Sequence, residues 1–303
     1  MHRVARPLVF AVAACFLLGC GQAHHKPTSL NLQALQLEAE QGDPEAQSEL
    51  AGRYATGEGV SVDFKQALLW GRKAAEQGHA VAQQNIGTLY FYGAGVPKDF
   101  QQAMIWFHKA AEQGVAEAQR YLGVMYSKGQ GVPKDFQQAI VWYRKAAEQR
   151  DLEAQYQLGL IYSEVVEPQD YKQAMVWFSK AAEQGHVEAQ HQVGLIYWHG
   201  RGVPRNNQRA IEWFRKAAEQ GYYGSQFVLG LMYGYDDSVP RDDLQAYAWF
   251  SMLVANGYDT HEAARDEIAA RLTPERLAEA QAIASRYFEE YQSKSVKASA
   301  GRP

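Results

Sequence analysis

The five residues AAEQG at positions 110–114 decide the fold, because they recur along the chain at a nearly fixed spacing. Further copies stand at 74–78, 181–185 and 217–221, and AAEQR takes their place at 146–150. A tryptophan recurs with the same period of 35 or 36 residues, at Trp70, Trp106, Trp142, Trp177, Trp213 and Trp249. Repetition at this period indicates an array of small units, each of which stacks on its neighbours.

Each repeat predicts two helices joined by a turn. The first helix carries the pattern A-Q-x-x-L-G-x-x-Y, as at 118–126, which places its apolar residues on one helical face. The glycine in this pattern, such as Gly123, lowers helix propensity by about 1 kcal/mol, so we expect a neighbouring helix to approach closely there. The turn G-x-G-V-P, as at 93–97, supplies residues suited to positive φ and a proline that prevents the helix from continuing.

The second helix of each repeat begins with Asp-x-x-Gln, as in Asp99 and Gln102, which is the spacing of a capping box. The aromatic residue that follows, the repeat tryptophan and the alanine pair are expected to face the core between the two helices. The terminal glycine, as at Gly114, is expected to end the helix in a left-handed conformation.

A single pair of such helices cannot bury its apolar face, whereas stacked pairs share a continuous core. The sequence therefore predicts an all-α protein, a right-handed α-solenoid of stacked antiparallel helix pairs. Its motifs A-Q-x-x-L-G-x-x-Y, G-x-G-V-P-x-D and A-x-x-W-x-x-x-A-A-E-Q-G resemble those of the Sel1-like repeat family, which is related to tetratricopeptide repeats. The resemblance covers about residues 30–292 and implies a tetratricopeptide-like superhelix, closed by a helix that starts after Thr273.

The repeats lose their regularity in three places. Arg150 replaces the terminal glycine, and the turn that follows, at 163–168, lacks both glycines and is one residue short. The helix start at Asn206 lacks the reciprocal glutamine, and residues 236–238 replace the Gly-x-Gly turn of the sixth repeat. We predict that the segment 148–170 is a bend or the least stable junction of the array, which hydrogen exchange would test.

The amino terminus has the organisation of an export signal. Arg3 and Arg6 precede the apolar run 7–18, which is too short to span a bilayer as a mature helix. The run ends in Leu-Leu-Gly-Cys at 17–20, which resembles a bacterial lipobox in which Cys20 carries the lipid. An ordinary signal peptide with an incidental cysteine is the alternative.

The expected domain plan has four segments. They are a lipoprotein signal peptide at 1–19, a flexible tether at 20–29, the repeat solenoid with its closing helix at 30–292, and a disordered tail at 293–303. Resemblance to bacterial lipoproteins implies a place in the cell envelope. Because Gly21 and not aspartate follows the cysteine, the expected location is the outer membrane, facing the periplasm.

Composition and motifs argue against several classes of function. A net charge of −4 and a pI near 6.2 are not those of a typical nucleic-acid-binding protein. The sequence has no S-x-x-K, G-x-S-x-G, Walker or H-E-x-x-H motif, so we predict neither a catalytic residue nor a cofactor. His186, His191 and His199 cluster in sequence, but no other ligand stands at metal spacing, and no metal site is predicted.

The resemblance also implies that the first helices line a concave groove, where positions outside the repeat pattern can specialise. These positions are rich in the aromatic and basic residues that dominate binding hot spots. Packing against the next repeat is the alternative for each ring. The candidate groove residues are Gln84, Phe91, Tyr92, Arg120, Tyr156, His191, Trp198, His199, Phe227 and Tyr235.

The sequence favours a scaffold without enzymatic activity, a lipid-anchored envelope adaptor that holds a protein or peptide partner in this groove. A component of a polysaccharide-export or secretion assembly is one alternative. A hydrolase of cell-wall material or β-lactams is another. Some relatives of that kind pair cysteines within each repeat, whereas this chain has only Cys15 and Cys20.

Overall fold

The computed structural model describes residues 32–300, with side chains through residue 291. The predicted signal peptide, Cys20 and the tether lie outside this range. Within it, the structure has fifteen α-helices and no strand, which confirms the all-α class. The helices are α1 (Leu32–Glu40), α2 (Pro44–Thr56), α3 (Phe64–Glu76), α4 (Ala80–Tyr92), α5 (Phe100–Glu112), α6 (Ala116–Lys128), α7 (Phe136–Glu148), α8 (Leu152–Leu160), α9 (Tyr171–Glu183), α10 (Val187–His199), α11 (Asn207–Ala218), α12 (Tyr223–Tyr235), α13 (Asp243–Ala255), α14 (Glu262–Ala269) and α15 (Pro274–Ala300).

Helices α2 to α13 form six consecutive pairs, one for each repeat, as the sequence predicts. The chain divides into two compact units at Ala154 and Gln155, which we call the N-unit and the C-unit. This division falls in α8, within the irregular segment 148–170. A π-helical turn, Ile161–Val165, continues α8 where the fourth repeat lacks its Gly-x-Gly turn.

The helical glycine of each first helix lies against a ring of the second helix. A β-carbon on Gly123 would lie 2.6 Å from Cδ1 of Tyr143, and one on Gly194 would lie 2.6 Å from Cε1 of Phe214. Both rings are almost fully buried. The close approach predicted from the sequence is therefore confirmed, but the ring comes from the residue after the repeat tryptophan.

The first repeat reverses this arrangement. Ala51 stands at the position of the helical glycine, and Gly71 stands where the other repeats carry the buried ring. A β-carbon on Gly71 would lie 3.5 Å from Cβ of Ala51 and 3.1 Å from Cδ1 of Ile86. The small residue and the large residue are thus chosen as a pair within each repeat.

The aspartates that start the second helices cap them as predicted, but not as full capping boxes. The Asp99 carboxylate accepts from the backbone N–H groups of Gln101 and Gln102, at 2.9 and 3.0 Å. The backbone N–H of Asp99 itself donates to the carbonyl of Tyr90, at 3.0 Å, which takes the place expected for the glutamine side chain. Asn206 makes the same backbone bond, to Tyr197 at 2.9 Å, so the missing glutamine leaves that helix start intact.

Buried glutamines link successive repeats in the N-unit. The Gln119 side chain donates to the carbonyl of Ala111, at 3.1 Å, and accepts from the side chain of Gln149, at 2.8 Å. Gln149 also donates to the carbonyl of Gly114, at 2.9 Å. Gln83 and Gln113 repeat the pattern one repeat earlier. These bonds satisfy polar groups that burial would otherwise leave costly.

The C-unit has the same glutamine link with a different second bond. Gln190 donates to the carbonyl of Ala182, at 3.1 Å, and accepts from Gln220, at 2.9 Å. Gln220 also donates to Lys216 in its own helix, at 3.4 Å, instead of to a carbonyl of the preceding repeat. The link therefore persists across both units, although its outer bond is longer in this part of the C-unit.

Helix α15 covers the end of the C-unit. Trp249 is fully buried and lies 4.8 Å, centroid to centroid, from the ring of Tyr287 and 6.0 Å from that of Tyr291. The hydroxyl of Tyr287 donates to Gln245, at 2.7 Å. The helix continues to Ala300, past residue 292 where the repeat domain was expected to end. Residues 292–300 contain no glycine or proline that would stop it.

Candidate partner-binding surface

The first helices of the repeats share three equivalent positions, which Arg120, Val124 and Lys128 occupy in α6. Residues four apart lie on the same side of an α-helix, so the three positions form a stripe. We call these stripes the first-helix face and describe it separately in the two units.

The first-helix face of the C-unit is apolar and aromatic. Its middle position holds a leucine in every repeat, flanked one turn earlier by a ring. The three stripes are Tyr156, Leu160 and Glu164; His191, Leu195 and His199; and Phe227, Leu231 and Tyr235. The three leucines are half-buried, whereas Glu164, His199 and Tyr235 are exposed. Partly exposed leucines between rings form a surface suited to an apolar segment of a partner.

The rings at the first position pack on residues that directly precede the next helix but one along the chain, as His186 precedes α10. The ring of Tyr156 stacks on His186, at 4.6 Å between centroids, and that of His191 lies 5.0 Å from Tyr222. Phe227 lies 4.9 Å from His261. These contacts hold the rings in place and leave only part of each ring to solvent.

His191 is a partly buried candidate residue of the C-unit face. Its Nδ1 is 2.9 Å from the hydroxyl of Ser225, which is fully buried. Burial lowers the pKa of the His191 imidazole to about 4. The ring is therefore neutral at neutral pH and acts as a packing and hydrogen-bonding residue, not as a proton donor in this range.

Trp198 holds the irregular turn of the sixth repeat. Its Nε1–H donates to the Asp236 carboxylate, at 2.8 Å. Asp236 also accepts from the backbone N–H of Ser238, at 2.9 Å, and from its hydroxyl. Although burial opposes it, these hydrogen bonds keep the pKa of the Asp236 carboxyl below its usual range. Trp198 thus has a structural role in addition to its place beside the face.

The matched positions of the N-unit hold no leucine, and two of their side chains, those of Gln84 and Thr88, are fully buried. They hold Ser48, Gly52 and Thr56 in α2; Gln84, Thr88 and Tyr92 in α4; and Arg120, Val124 and Lys128 in α6. The N-unit therefore lacks the leucine row among its described first helices.

Two of the predicted groove residues are buried in the N-unit. Gln84 is 0% exposed and donates to the hydroxyl of Thr88, at 3.2 Å. Phe91 is 9% exposed, and its ring lies 5.2 Å from that of Tyr121. The prediction that these two side chains contact a partner is therefore wrong for this structure, because packing within the N-unit encloses them.

The side chains of Tyr92 and Arg120 are partly exposed, and both make polar contacts within the N-unit. The hydroxyl of Tyr92 lies 3.3 Å from that of Tyr121. Arg120 forms ion pairs with Glu117, at 3.1 Å, and with Asp151, at 3.2 Å. The pair with Asp151 ties α6 to the residue directly before α8.

The histidine cluster has a structural explanation. Nδ1 of His186 accepts from the backbone N–H of Ala189, at 3.3 Å, so this histidine caps α10. His199 is exposed and stacks on Trp198 at 4.9 Å, and burial together with Arg201 and Arg205 lowers its pKa. No group of three or more histidine, cysteine, aspartate or glutamate residues could hold a metal ion within the described part of the chain.

Sequence reasoning missed the leucine row. Leu195 and Leu231 are ordinary core residues by type, and only alignment of the repeats shows that they share the outward position of Val124.

Within residues 32–300, no helix is long and apolar enough to cross a membrane.

The fold and this face define a helical-repeat protein with a specialised surface. The Sel1 repeat matches residues 44–79, 80–115, 116–151, 152–186, 187–222 and 224–258. The chain belongs to the Sel1 repeat family. Repeats of this family form a non-catalytic scaffold and generally mediate protein–protein interactions.

Two solved structures are similar over most of the chain. One is a protective antigen present in uropathogenic Escherichia coli strains that displays the SLR fold, with 36% identity, a TM-score of 0.76 and 94% of this chain covered. This chain spans 63% of that protein. The other is a Sel1 repeat protein from Oxalobacter formigenes, with 32% identity, a TM-score of 0.64, and coverage of 82% of this chain and 99% of that protein. Among proteins of curated function, none matches this chain.

Proposed function

We propose that this protein is an adaptor of the bacterial cell envelope that binds an apolar segment of a protein partner on the first-helix face of its C-unit. The observation that carries the proposal is the leucine row Leu160, Leu195 and Leu231, set between rings, in contrast to Gly52, Thr88 and Val124 in the N-unit. These leucines pack on the core and are also partly exposed at the same position of successive repeats, so together they offer an apolar surface that a partner segment can cover.

The adaptor is anchored through a lipid on Cys20, in the outer membrane facing the periplasm. The support is the sequence Leu-Leu-Gly-Cys at 17–20 after an apolar run, and Gly21 after the cysteine. A tether at 20–29 would let the C-unit reach a partner at some distance from the membrane. Incorporation of a labelled fatty acid into the wild-type protein but not into Cys20→Ser would test the anchor separately from the face.

The face is tested by crosslinking capture from the native envelope. The variant Leu195→Ser with His199→Ser changes two outward positions of α10, and Val124→Ser with Lys128→Ser changes the same two positions of α6 as a matched control. We expect the α10 variant to lose a partner that wild type and the α6 variant both capture. Equal capture by all three proteins, each with a native circular dichroism spectrum, would contradict the proposal.

A further inference from the structure

The second helices of the N-unit expose a row of aliphatic side chains. Leu69, Ile105 and Val141 are 50%, 49% and 47% exposed, and each stands directly before the repeat tryptophan in α3, α5 and α7. Single exposed aliphatic residues are common on protein surfaces. Three at the same position of consecutive repeats form a continuous feature, which we call the N-unit ridge.

Cationic side chains flank the N-unit ridge. One turn after each ridge residue, the ammonium groups of Lys73, Lys109 and Lys145 lie over the rings of the repeat tryptophans, at 3.8, 4.3 and 4.0 Å from the centroids. Helices α3, α5 and α7 carry six lysines and arginines, balanced by three glutamates and by the three aspartates that cap them, so the positive charge is local to the turn beside the ridge. The glutamates stand one turn further on, at the carboxyl end of each helix.

This combination fits the surface of an anionic bilayer. Aliphatic side chains enter the boundary between headgroups and acyl chains, and lysine reaches the lipid phosphates. The lysine stems can lie along the apolar surface while their ammonium groups stay in water. The ridge position holds a leucine, an isoleucine and a valine in the three repeats, and these side chains differ in shape. Such variation suits a fluid lipid surface better than a folded protein partner.

We infer that the N-unit ridge docks on an anionic phospholipid surface, with Leu69, Ile105 and Val141 inserted and the adjoining lysines contacting the headgroups. The docking face lies on the second helices, whereas the proposed partner face lies on the first helices of the C-unit. Failure of one proposal would therefore leave the other unaffected.

The test places a fluorophore on the ridge of the full chain. Ile105→Cys, in a background of Cys15→Ser and Cys20→Ser, carries an environment-sensitive NBD label and is mixed with excess vesicles of phosphatidylcholine, with or without phosphatidylglycerol. Flotation of the vesicles measures attachment of the whole chain, whereas the label reports only the surroundings of residue 105. Attachment through the amino-terminal segment alone would therefore leave the emission of this label unchanged. We expect a several-fold rise and a blue shift of emission on the anionic vesicles, reversed by high salt.

Leu152→Cys with the same label is the matched control, since Leu152 is an exposed aliphatic residue of the N-unit outside the ridge. A second variant, Lys73→Gln with Lys109→Gln and Lys145→Gln, should remove the response at residue 105 while circular dichroism stays native. The proposal is overturned if chain floated with anionic vesicles keeps its residue 105 label in water, if the labels at 105 and 152 respond alike, or if the chain does not bind these vesicles at all. A response to envelope protein but not to vesicles would assign the ridge to a protein partner instead.

Discussion

The N-unit and the C-unit are built from the same repeat and differ where the repeat leaves a side chain free. In both units a ring of the second helix lies against a helical glycine of the first, as Tyr143 does on Gly123 and Phe214 on Gly194. In the N-unit the middle position of the first helices holds glycine, threonine and valine, whereas in the C-unit it holds leucine in each repeat. The comparison teaches that the recurring residues hold the fold, whereas the non-recurring ones are free to differ between the units.

The irregular turn of the C-unit shows that departures from the repeat are matched in pairs. In the N-unit a turn glycine such as Gly131 packs on the first residue of the preceding second helix, Phe100, at 3.0 Å from a built β-carbon. In the C-unit Ser238 and Asn207 occupy the corresponding positions, and the Asn207 side chain donates to the Ser238 carbonyl, at 2.8 Å. A polar contact in the C-unit thus joins the turn to the preceding second helix, as an apolar contact does in the N-unit.

The shared glycine contact should give the largest effect. Gly123→Val in the N-unit and Gly194→Val in the C-unit would each force side-chain atoms into a buried ring, and we expect each to lower the free energy of unfolding by about 3 kcal/mol. Urea denaturation followed by circular dichroism measures it, with the exposed Gln101→Ala as control. A loss below about 0.5 kcal/mol at either site would break the equivalence of the two units.

The buried histidine should make the C-unit sensitive to acid. The pKa of His191 lies near 4 in the folded chain and near 6.5 when unfolded, so the unfolded state binds its proton first as the pH falls. Stability is then lost from about pH 6.5 down to about pH 4, by about 2 kcal/mol in total because the site is not fully enclosed. His191→Asn should flatten the stability profile in this window, and an unchanged slope would contradict the assignment.

Removal of the glutamine link should lower the free energy of unfolding less in the N-unit than in the C-unit. Gln119→Leu removes two hydrogen bonds but leaves Gln149 its bond to Gly114, so we expect a loss of about 1 kcal/mol. Gln190→Leu leaves Gln220 only the longer 3.4 Å bond within its own helix, and we expect about 2 kcal/mol. Denaturant unfolding of both variants measures the two losses. A larger loss for Gln119→Leu than for Gln190→Leu would contradict this interpretation of the link.

The smallest effect is expected at Arg150, which has φ of +70° where the other repeats place glycine. A left-handed conformation costs a non-glycine residue about 1 kcal/mol or more. Arg150→Gly should therefore raise the free energy of unfolding by about 0.5 to 1 kcal/mol. A decrease in thermal stability would show that contacts of the arginine side chain outweigh its backbone strain.

The fold could be predicted from the sequence because its signals are local and repeated. The glycine within each first helix, the aspartate caps and the left-handed glycines each follow from a short motif. The source of the ring on Gly123 could not be predicted, since Trp142 and Tyr143 are adjacent and either could face inward. Packing, which brings Tyr143 to Gly123, decides between them.

The candidate face was harder to predict because exposure depends on contacts distant in the sequence. Phe91 is enclosed by Tyr121, thirty residues later, and Trp198 is held by Asp236, thirty-eight residues later. Residue type alone gave no sign of either contact. Leu195 and Leu231 were missed for the opposite reason, since leucine by type belongs in a core.

The central claim is that the first-helix face of the C-unit, and not that of the N-unit, contacts the partner. A photo-crosslinking amino acid placed at Leu195 or at Val124, the same position in two repeats, tests it directly in the intact envelope. The account predicts a defined crosslinked product from residue 195 and none from residue 124. Crosslinks of equal yield from both positions, or from residue 124 alone, would contradict it.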